Sequence, residues 1–137
     1  MVWSHSWISP QGGNWQDPGY IARSLSPASA RKIASRGGAV GLWTVRVRND
    51  PGYPVHNVRS FADETMRMCD LIGPAHVAFG TDMEGAGPGP ILSNYEDLRE
   101  VADNLAKRGL AESTQNDIFI GNYARIVKAA MTGAAKT

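Results

Sequence analysis

The sequence at residues 26–44 reads SPASARKIASRGGAVGLWT and predicts a helix that leads directly into a buried strand. Ser26 followed by Pro27 is typical of a helix start, because serine caps free N–H groups and proline fits the first helical position. The glycine pair at 37–38 favours the end of that helix. Residues 39–44 are an apolar run without alternation, which indicates a parallel strand covered on both faces.

Two further apolar runs predict strands on either side of this unit, at Val2–Ser4 and His76–Gly80. Between the second and third strands, Ser60 with Asp63 three residues later has the spacing of a helix start. The order of strand, helix, strand, helix, strand and further helices predicts an α/β fold with a parallel sheet.

The C-terminal third of the chain predicts helices only. Ser93 with Glu96 forms the pattern of a capping box, and Gly109 favours the end of the helix that begins there. We expect Ser113 to cap another helix, and Asn122 to mark a break before a last amphipathic segment.

The size and charge of the chain limit its class. It has 137 residues, 42% of them hydrophobic, and a formal net charge of +1 without a long basic run. We therefore expect a single domain over residues 1–131 with a fraying tail at 132–137, and no nucleic-acid partner. No segment has the pattern of a secretory signal or a membrane span, so the sequence favours the cytoplasm and no membrane association. The lone Cys69 fits this location, and we expect it to be a buried apolar side chain.

Polar side chains at the ends of the predicted strands are the first candidates for chemistry. His5, Thr44 and Asp82 each stand where a strand ends, and the active sites of parallel barrels lie at that side. The His5 imidazole could bind a divalent metal, and the Asp82 carboxylate could hold an ammonium group or a metal. Arg23, in the loop predicted after the first strand, could bind a substrate carboxylate through its planar guanidinium.

Each candidate also has a purely structural interpretation. A single histidine such as His5 is more often a hydrogen-bonded structural residue, a loop arginine such as Arg23 is ordinarily a solvated charge, and Asp82 could equally stabilise a turn. His56 lies in a proline-rich loop and His76 stands at the start of its strand, at the face opposite the site, so neither is expected to bind metal. Composition and spacing leave these alternatives open.

Four stretches in this order resemble the renal (membrane) dipeptidase family of the amidohydrolase superfamily, and together they span most of the chain. They are Val2–Ser6, Arg23–Ser26 leading to Ala34–Gly41, Val77–Gly85, and Asn94–Leu98 through Gly121–Ile126. The resemblance implies a (β/α)₈ barrel of the TIM type, of which a chain of this length would supply three C-terminal βα units, because a closed barrel takes roughly 250 residues.

The resemblance also implies an activity and roles for individual residues. Members of the family hydrolyse dipeptides at two zinc ions, where metal-bound hydroxide attacks the peptide carbonyl. By this resemblance His5 would be a zinc ligand, Arg23 would contact the substrate carboxylate, and Asp82 would serve substrate binding and catalysis.

The sequence departs from the family pattern in ways that limit what the chain is expected to do alone. The family's His-x-Asp pair, its bridging glutamate and its second zinc histidine have no counterpart, while Ser24 and Met83-Glu84 differ from the common residues. One histidine cannot hold a catalytic zinc, which takes about three protein ligands. We therefore expect a C-terminal fragment, inactive alone, that either lacks an N-terminal part or self-associates. The alternative is a non-catalytic oligomerising or binding module derived from such a barrel.

Overall fold

The computed structural model describes residues 1–9, 18–45, 53–85 and 90–133. Within these ranges the strands are β1 (Val2–Ser6), β2 (Ala39–Trp43) and β3 (Val77–Gly80). The helices are α1 (Pro18–Arg23), α2 (Pro27–Ser35), α3 (Val58–Ile72), α4 (Tyr95–Lys107), α5 (Glu112–Asn116) and α6 (Asn122–Met131), with a 3₁₀ turn at Pro74–His76 and a π-helical turn at Asp117–Gly121. None of these helices is long and apolar enough to span a membrane.

The three strands of the described residues form one parallel sheet in the order β1-β2-β3. All five residues of β2 are buried, as expected for a central parallel strand, and the predicted α/β class is confirmed. The first strand differs from the prediction, because Trp3 in β1 is 46% exposed. Only one edge of β1 is paired within the described residues, so this strand is covered less than a central one.

The sheet curves strongly toward one face, and two positions on that face are glycines, which have no side chain. A Cβ atom at Gly80 would lie 2.7 Å from the backbone nitrogen of His5 and 2.8 Å from Ser4 Oγ, although β1 and β3 flank β2 and do not pair with each other. A Cβ at Gly41 would lie 3.2 Å from the Gly80 nitrogen. The absence of side chains at Gly41 and Gly80 therefore lets β1 and β3 approach across β2.

The opposite face of the sheet packs against helices through aromatic rings. Phe79 of β3 lies edge-on to Phe61 of α3, with ring centroids 5.0 Å apart, and to Phe119, at 4.9 Å. The same helix is tied to the end of β1 by Arg67, which pairs with the buried Glu64 at 2.6 Å and donates to the Ile8 carbonyl oxygen. These contacts fix α3 against the sheet.

Two helices begin at asparagines that the sequence did not single out. Asn57 caps α3 and accepts a hydrogen bond from the Ser60 backbone N–H, so the predicted cap, Ser60, is the third helical residue. The Ser60 hydroxyl accepts in return from the Asn57 N–H, which completes a capping box. Likewise Asn94, one residue after the predicted Ser93, caps α4 and is paired with Asp97 instead of Glu96.

The C-terminal predictions are wrong at two positions. Ser113 lies inside α5, which follows Ala111, and does not cap it. Asn122 does not interrupt the helical structure, because the backbone stays right-handed helical from the π-helical turn into α6. Its buried side chain donates to the carbonyl oxygens of Pro74 and Val77, both at 2.8 Å, so it joins this helix to the start of β3.

Candidate functional site

His5 and Asp82 lie at the carboxyl ends of β1 and β3, and both have left-handed backbone conformations. Their φ angles are 56° and 50°, and they are the non-glycine residues of the described chain with positive φ. Histidine and aspartate tolerate this region better than most residues, yet it remains uncommon and is concentrated at functional sites. Two residues proposed from sequence alone therefore share an unusual backbone at the same edge of the sheet.

Arg23 reaches this edge from the end of α1, and not from a loop as the sequence predicted. Its carbonyl oxygen accepts a hydrogen bond from Ser6 Oγ at 2.7 Å, and the Leu25 N–H donates to the Trp7 carbonyl at 2.9 Å. These bonds hold the segment after α1 beside the continuation of β1. The side chain of Arg23 is exposed, and its guanidinium carbon lies 5.4 Å from the ring centroid of Trp43.

The Asp82 carboxylate contacts the same tryptophan. Trp43 Nε1 donates a hydrogen bond to Asp82 Oδ2 at 3.3 Å. The turn after β3 is closed by its backbone, since the Gly85 N–H donates to the Asp82 carbonyl at 3.0 Å. Arg23 and Asp82 thus contact one indole, and the apolar pattern of the sequence predicts that residue only as part of a buried strand.

Trp43 is held firmly beneath these two residues. It is 7% exposed and stacks on Trp7, with ring centroids 5.8 Å apart and an angle of 6° between the planes. Trp7 in turn lies edge-on to the buried Tyr53 at 5.0 Å. A strand-end aromatic residue next to polar candidates was the sequence signal that could have identified Trp43.

Thr44, the candidate one residue later, has a structural role. It is fully buried, and its hydroxyl donates to the Thr81 carbonyl oxygen, while its own carbonyl accepts from the Ile91 N–H at 2.8 Å. These bonds join the ends of β2 and β3 to the segment before α4. With its polar groups used in this way, Thr44 is not available to a ligand.

The described residues do not by themselves fit a metal ion. His5 is exposed and could supply one ligand, but no group of three His, Cys, Asp or Glu in these ranges could hold a metal. As the sequence predicted, His76 lies at the opposite end of the sheet. Its Nδ1 is 2.8 Å from the Gly38 carbonyl oxygen. His56 lies edge-on to Tyr53, with 6.2 Å between the ring centroids.

Two open clefts accompany the site. One, of about 490 Å³, lies between the turn after β3 and the start of α4, and its lining includes Asp82, Glu84 and Tyr95. The larger one, of about 640 Å³, lies along the β1 edge beside Trp3 and α2, away from the Asp82 carboxylate. The smaller cleft is the one that a ligand of Asp82 would enter.

Comparisons with known proteins identify the family and show the fold. Residues 20–137 match the family described as membrane dipeptidase, peptidase family M19. No match was found among curated proteins. A crystal structure of dipeptidase AC, a metallopeptidase of family M19, superposes with a TM-score of 0.61 at 20% identity, over 74% of this chain and 31% of its own. An amidohydrolase from Pseudomonas aeruginosa gives 0.65 at 15% identity, over 93% and 45%. The chain thus spans less than half of either structure.

Proposed function

This chain belongs to the membrane dipeptidase family, peptidase family M19, and from that membership we propose that it forms the substrate-side part of a zinc-dependent dipeptidase. One observation carries the proposal: Arg23 and Asp82, a cation and an anion, contact the same Trp43 indole at the carboxyl end of the sheet. A dipeptide carries one charge of each sign, so these two side chains are complementary in charge to its two ends.

Arg23 is the group that would bind the substrate carboxylate. Its guanidinium is exposed, and among the ion pairs of the described residues none involves it. A planar guanidinium offers parallel N–H donors to a carboxylate and binds it more specifically than a lysine would. The aromatic ring below leaves these donors available while it limits the positions the side chain can take.

Asp82 is the group that would face the reacting end of the dipeptide. One of its oxygens accepts from Trp43, and the carboxylate borders the cleft next to α4. In that position the carboxylate could hold the substrate ammonium group or accept a proton during hydrolysis. The left-handed backbone at Asp82 is uncommon for a residue with a side chain and is concentrated at functional sites, which is compatible with this role.

The zinc dependence in this proposal requires ligands beyond those described. His5 would supply one imidazole nitrogen, and a catalytic zinc takes about three protein ligands. We therefore assign no step of the reaction to the metal on the basis of this chain, and propose only that His5 turns toward a metal shared with another part of the enzyme.

The strong curvature of the parallel sheet supports a further part of the proposal, that β1, β2 and β3 are successive strands of a (β/α)₈ barrel. The glycines at positions 41 and 80 let the three strands close toward a common axis, as neighbouring strands of a small barrel do. In this arrangement the described parts of residues 1–131 would belong to one structural unit, while residues 134–137 of the expected tail at 132–137 lie outside the described residues.

A second candidate function is a non-catalytic module that binds a second copy of the chain. The observation in its favour is the apolar cleft beside β1, where Trp3 is 46% exposed and Met1 76% exposed. The mass in solution, measured by light scattering across a concentration series, distinguishes the two when it is combined with the dipeptide hydrolysis assay on the complete gene product. A stable dimer without hydrolytic activity would favour this module.

The test of the enzyme proposal is dipeptide hydrolysis by the product of the complete gene that encodes this chain, with zinc supplied. We expect the wild-type product to hydrolyse dipeptides and Asp82→Asn to lower kcat. For Arg23→Met we expect KM to rise roughly tenfold to a hundredfold, because a charge-assisted hydrogen bond contributes about 1.5–3 kcal/mol. Arg31→Met, which changes an exposed arginine on α2, is the matched control. Lack of hydrolysis, or equal effects of the two arginine variants, would contradict the proposal.

A further inference from the structure

Trp43 makes a different contact with each proposed substrate-binding residue. The face of its ring lies under the Arg23 guanidinium at 5.4 Å, and its ring nitrogen donates to Asp82 at 3.3 Å. We propose that Trp43 is a positioning residue, and that it acts as a neutral spacer that keeps Arg23 and Asp82 apart so that each can bind one end of a dipeptide. This inference rests on the proposed function.

The position of Trp43 in the sheet explains how it reaches both residues. It is the last residue of the central strand β2 and pairs in register with Gly80 of β3. Asp82 lies two residues beyond that glycine, and Arg23 lies beside the continuation of β1 on the other side of β2. A side chain at the end of the middle strand is therefore placed between a group that follows β3 and a group that α1 brings beside β1.

The surroundings of Trp43 make it a rigid spacer. The ring is 7% exposed and is stacked almost parallel to the fully buried Trp7. Since Trp7 is itself packed against Tyr53, the indole cannot tilt without disturbing two other aromatic rings. Arg23, by contrast, is a long exposed side chain with several rotatable bonds, and the attraction between a cation and an aromatic face restricts it.

The chemistry of the indole suits a spacer between opposite charges. Arginine and aspartate side chains that lie close together form an ion pair readily, and such a pair would use the donors and acceptors that the substrate needs. A neutral ring satisfies one charge through its face and the other through its N–H, and leaves both side chains charged. Loss of the ring would let Arg23 move onto Asp82 and close the site.

Two substitutions separate the two contacts. Trp43→Phe keeps an aromatic face for Arg23 but removes the N–H donor to Asp82. Because that hydrogen bond is long, at 3.3 Å, we expect in the complete gene product a fall in kcat of only roughly threefold to tenfold, with KM within about twofold. Trp43→Leu removes both contacts, and KM is then expected to rise as it does for Arg23→Met. Trp3→Phe, which changes an exposed tryptophan of β1, is the control.

A spectroscopic measurement tests the spacer independently of activity. In protein labelled with 5-fluorotryptophan, the fluorine resonance that disappears in Trp43→Phe is that of Trp43. We expect Asp82→Ala to shift this resonance and to leave those of the other tryptophans near their original positions. An unchanged Trp43 resonance, or equal changes in KM for Trp43→Phe and Trp43→Leu, would overturn the inference.

The two measurements also separate this inference from the proposed function. If the wild-type enzyme cleaves dipeptides and the Trp43 resonance does not respond to Asp82→Ala, the spacer is refuted while the function stands. If no dipeptide is cleaved, the proposed function fails and the inference, which depends on it, fails with it.

Discussion

Replacement of Gly80 by alanine tests the curvature that brings the ends of the strands together. The added Cβ would lie 2.7 Å from the His5 backbone nitrogen, 2.8 Å from Ser4 Oγ and 3.4 Å from the Gly41 carbonyl oxygen. Favourable contacts of carbon lie at roughly 3.5–4.0 Å, so β1 would have to move by about 0.8 Å. The nearest atom belongs to the backbone of a paired strand, which cannot rotate away.

The expected loss of stability follows from two opposing contributions. Overpacking of this kind costs about 1–3 kcal/mol, and replacement of glycine in a strand returns about 0.5–1 kcal/mol through lower entropy of the unfolded chain. We therefore expect Gly80→Ala to lower the free energy of unfolding by about 0.5–2 kcal/mol. For a chain of this size that corresponds to a fall in Tm of roughly 2–8 °C.

Thermal and urea unfolding followed by circular dichroism measure this loss, and Gly121→Ala provides the matched control. A Cβ at Gly121 would meet Asp117 Oδ1 at 2.5 Å, but that atom is the end of an exposed side chain and can turn away. Alanine in this helical position is expected to be neutral or to stabilise by about 0.5–1 kcal/mol. Equal stability of the two variants would refute the close approach of β1 and β3.

Three further predictions concern buried groups. Arg67→Met leaves the buried Glu64 carboxylate without its ion-pair partner. Because burial already raises the pKa of Glu64, we expect the free energy of unfolding to fall by about 2 kcal/mol at pH 7, and this loss to shrink toward pH 5 as the carboxylate takes up a proton. A loss in urea unfolding that does not depend on pH would contradict this. Burial raises the pKa of the Cys69 thiol to about 11, and the negative charge of the nearby Asp70 adds to this effect. At pH 8 the thiol should therefore react with a disulfide reagent far more slowly in the folded protein than in urea. Similar rates would show that the thiol is accessible. Asn122→Ala removes two hydrogen bonds to backbone carbonyl oxygens and should lower the free energy of unfolding by about 2–3 kcal/mol, whereas a change below 0.5 kcal/mol, on the order of surface substitutions, would count against the buried contacts.

The regular elements were predictable where local signals agree with one another. Ser26 caps α2 by accepting from the Ser29 N–H, Pro27 occupies the first helical position, and Gly37 has a φ of 72° just after the helix. Cap, proline and glycine all act within a few residues of one another, so the sequence contains the information needed. The buried strand β2 was predictable for the same reason, because its signal is also local.

The predictions failed where a residue's role depends on distant contacts. Ser60 fits the pattern of a cap as well as Asn57 does, but Asn57 is the residue that caps α3, and Ser60 closes the capping box from the third position. Asn122 resembles a helix breaker until its side chain is seen to bond to carbonyl groups more than forty residues away. Local propensity could not distinguish either case.

The candidate site was predicted residue by residue, while its geometry was not. His5, Arg23 and Asp82 were proposed from position and resemblance, and their roles remain predictions. Trp43 was missed because a tryptophan in an apolar strand is ordinarily a core residue, and its contacts with Arg23 and Asp82 arise only when the strands are assembled. Pairing across the sheet is the information that the linear sequence does not contain.

The most direct test of the account compares a dipeptide with the same dipeptide amidated at its C-terminus, as substrates of the complete gene product. Because Arg23 is proposed to bind the free carboxylate, the wild-type enzyme should cleave the amide with a kcat/KM lower by roughly tenfold to a hundredfold, and Arg23→Met should cleave the two substrates at similar rates. Equal cleavage of both substrates by the wild-type enzyme, or discrimination that survives in Arg23→Met, would contradict the assignment of this edge of the sheet as a dipeptide site.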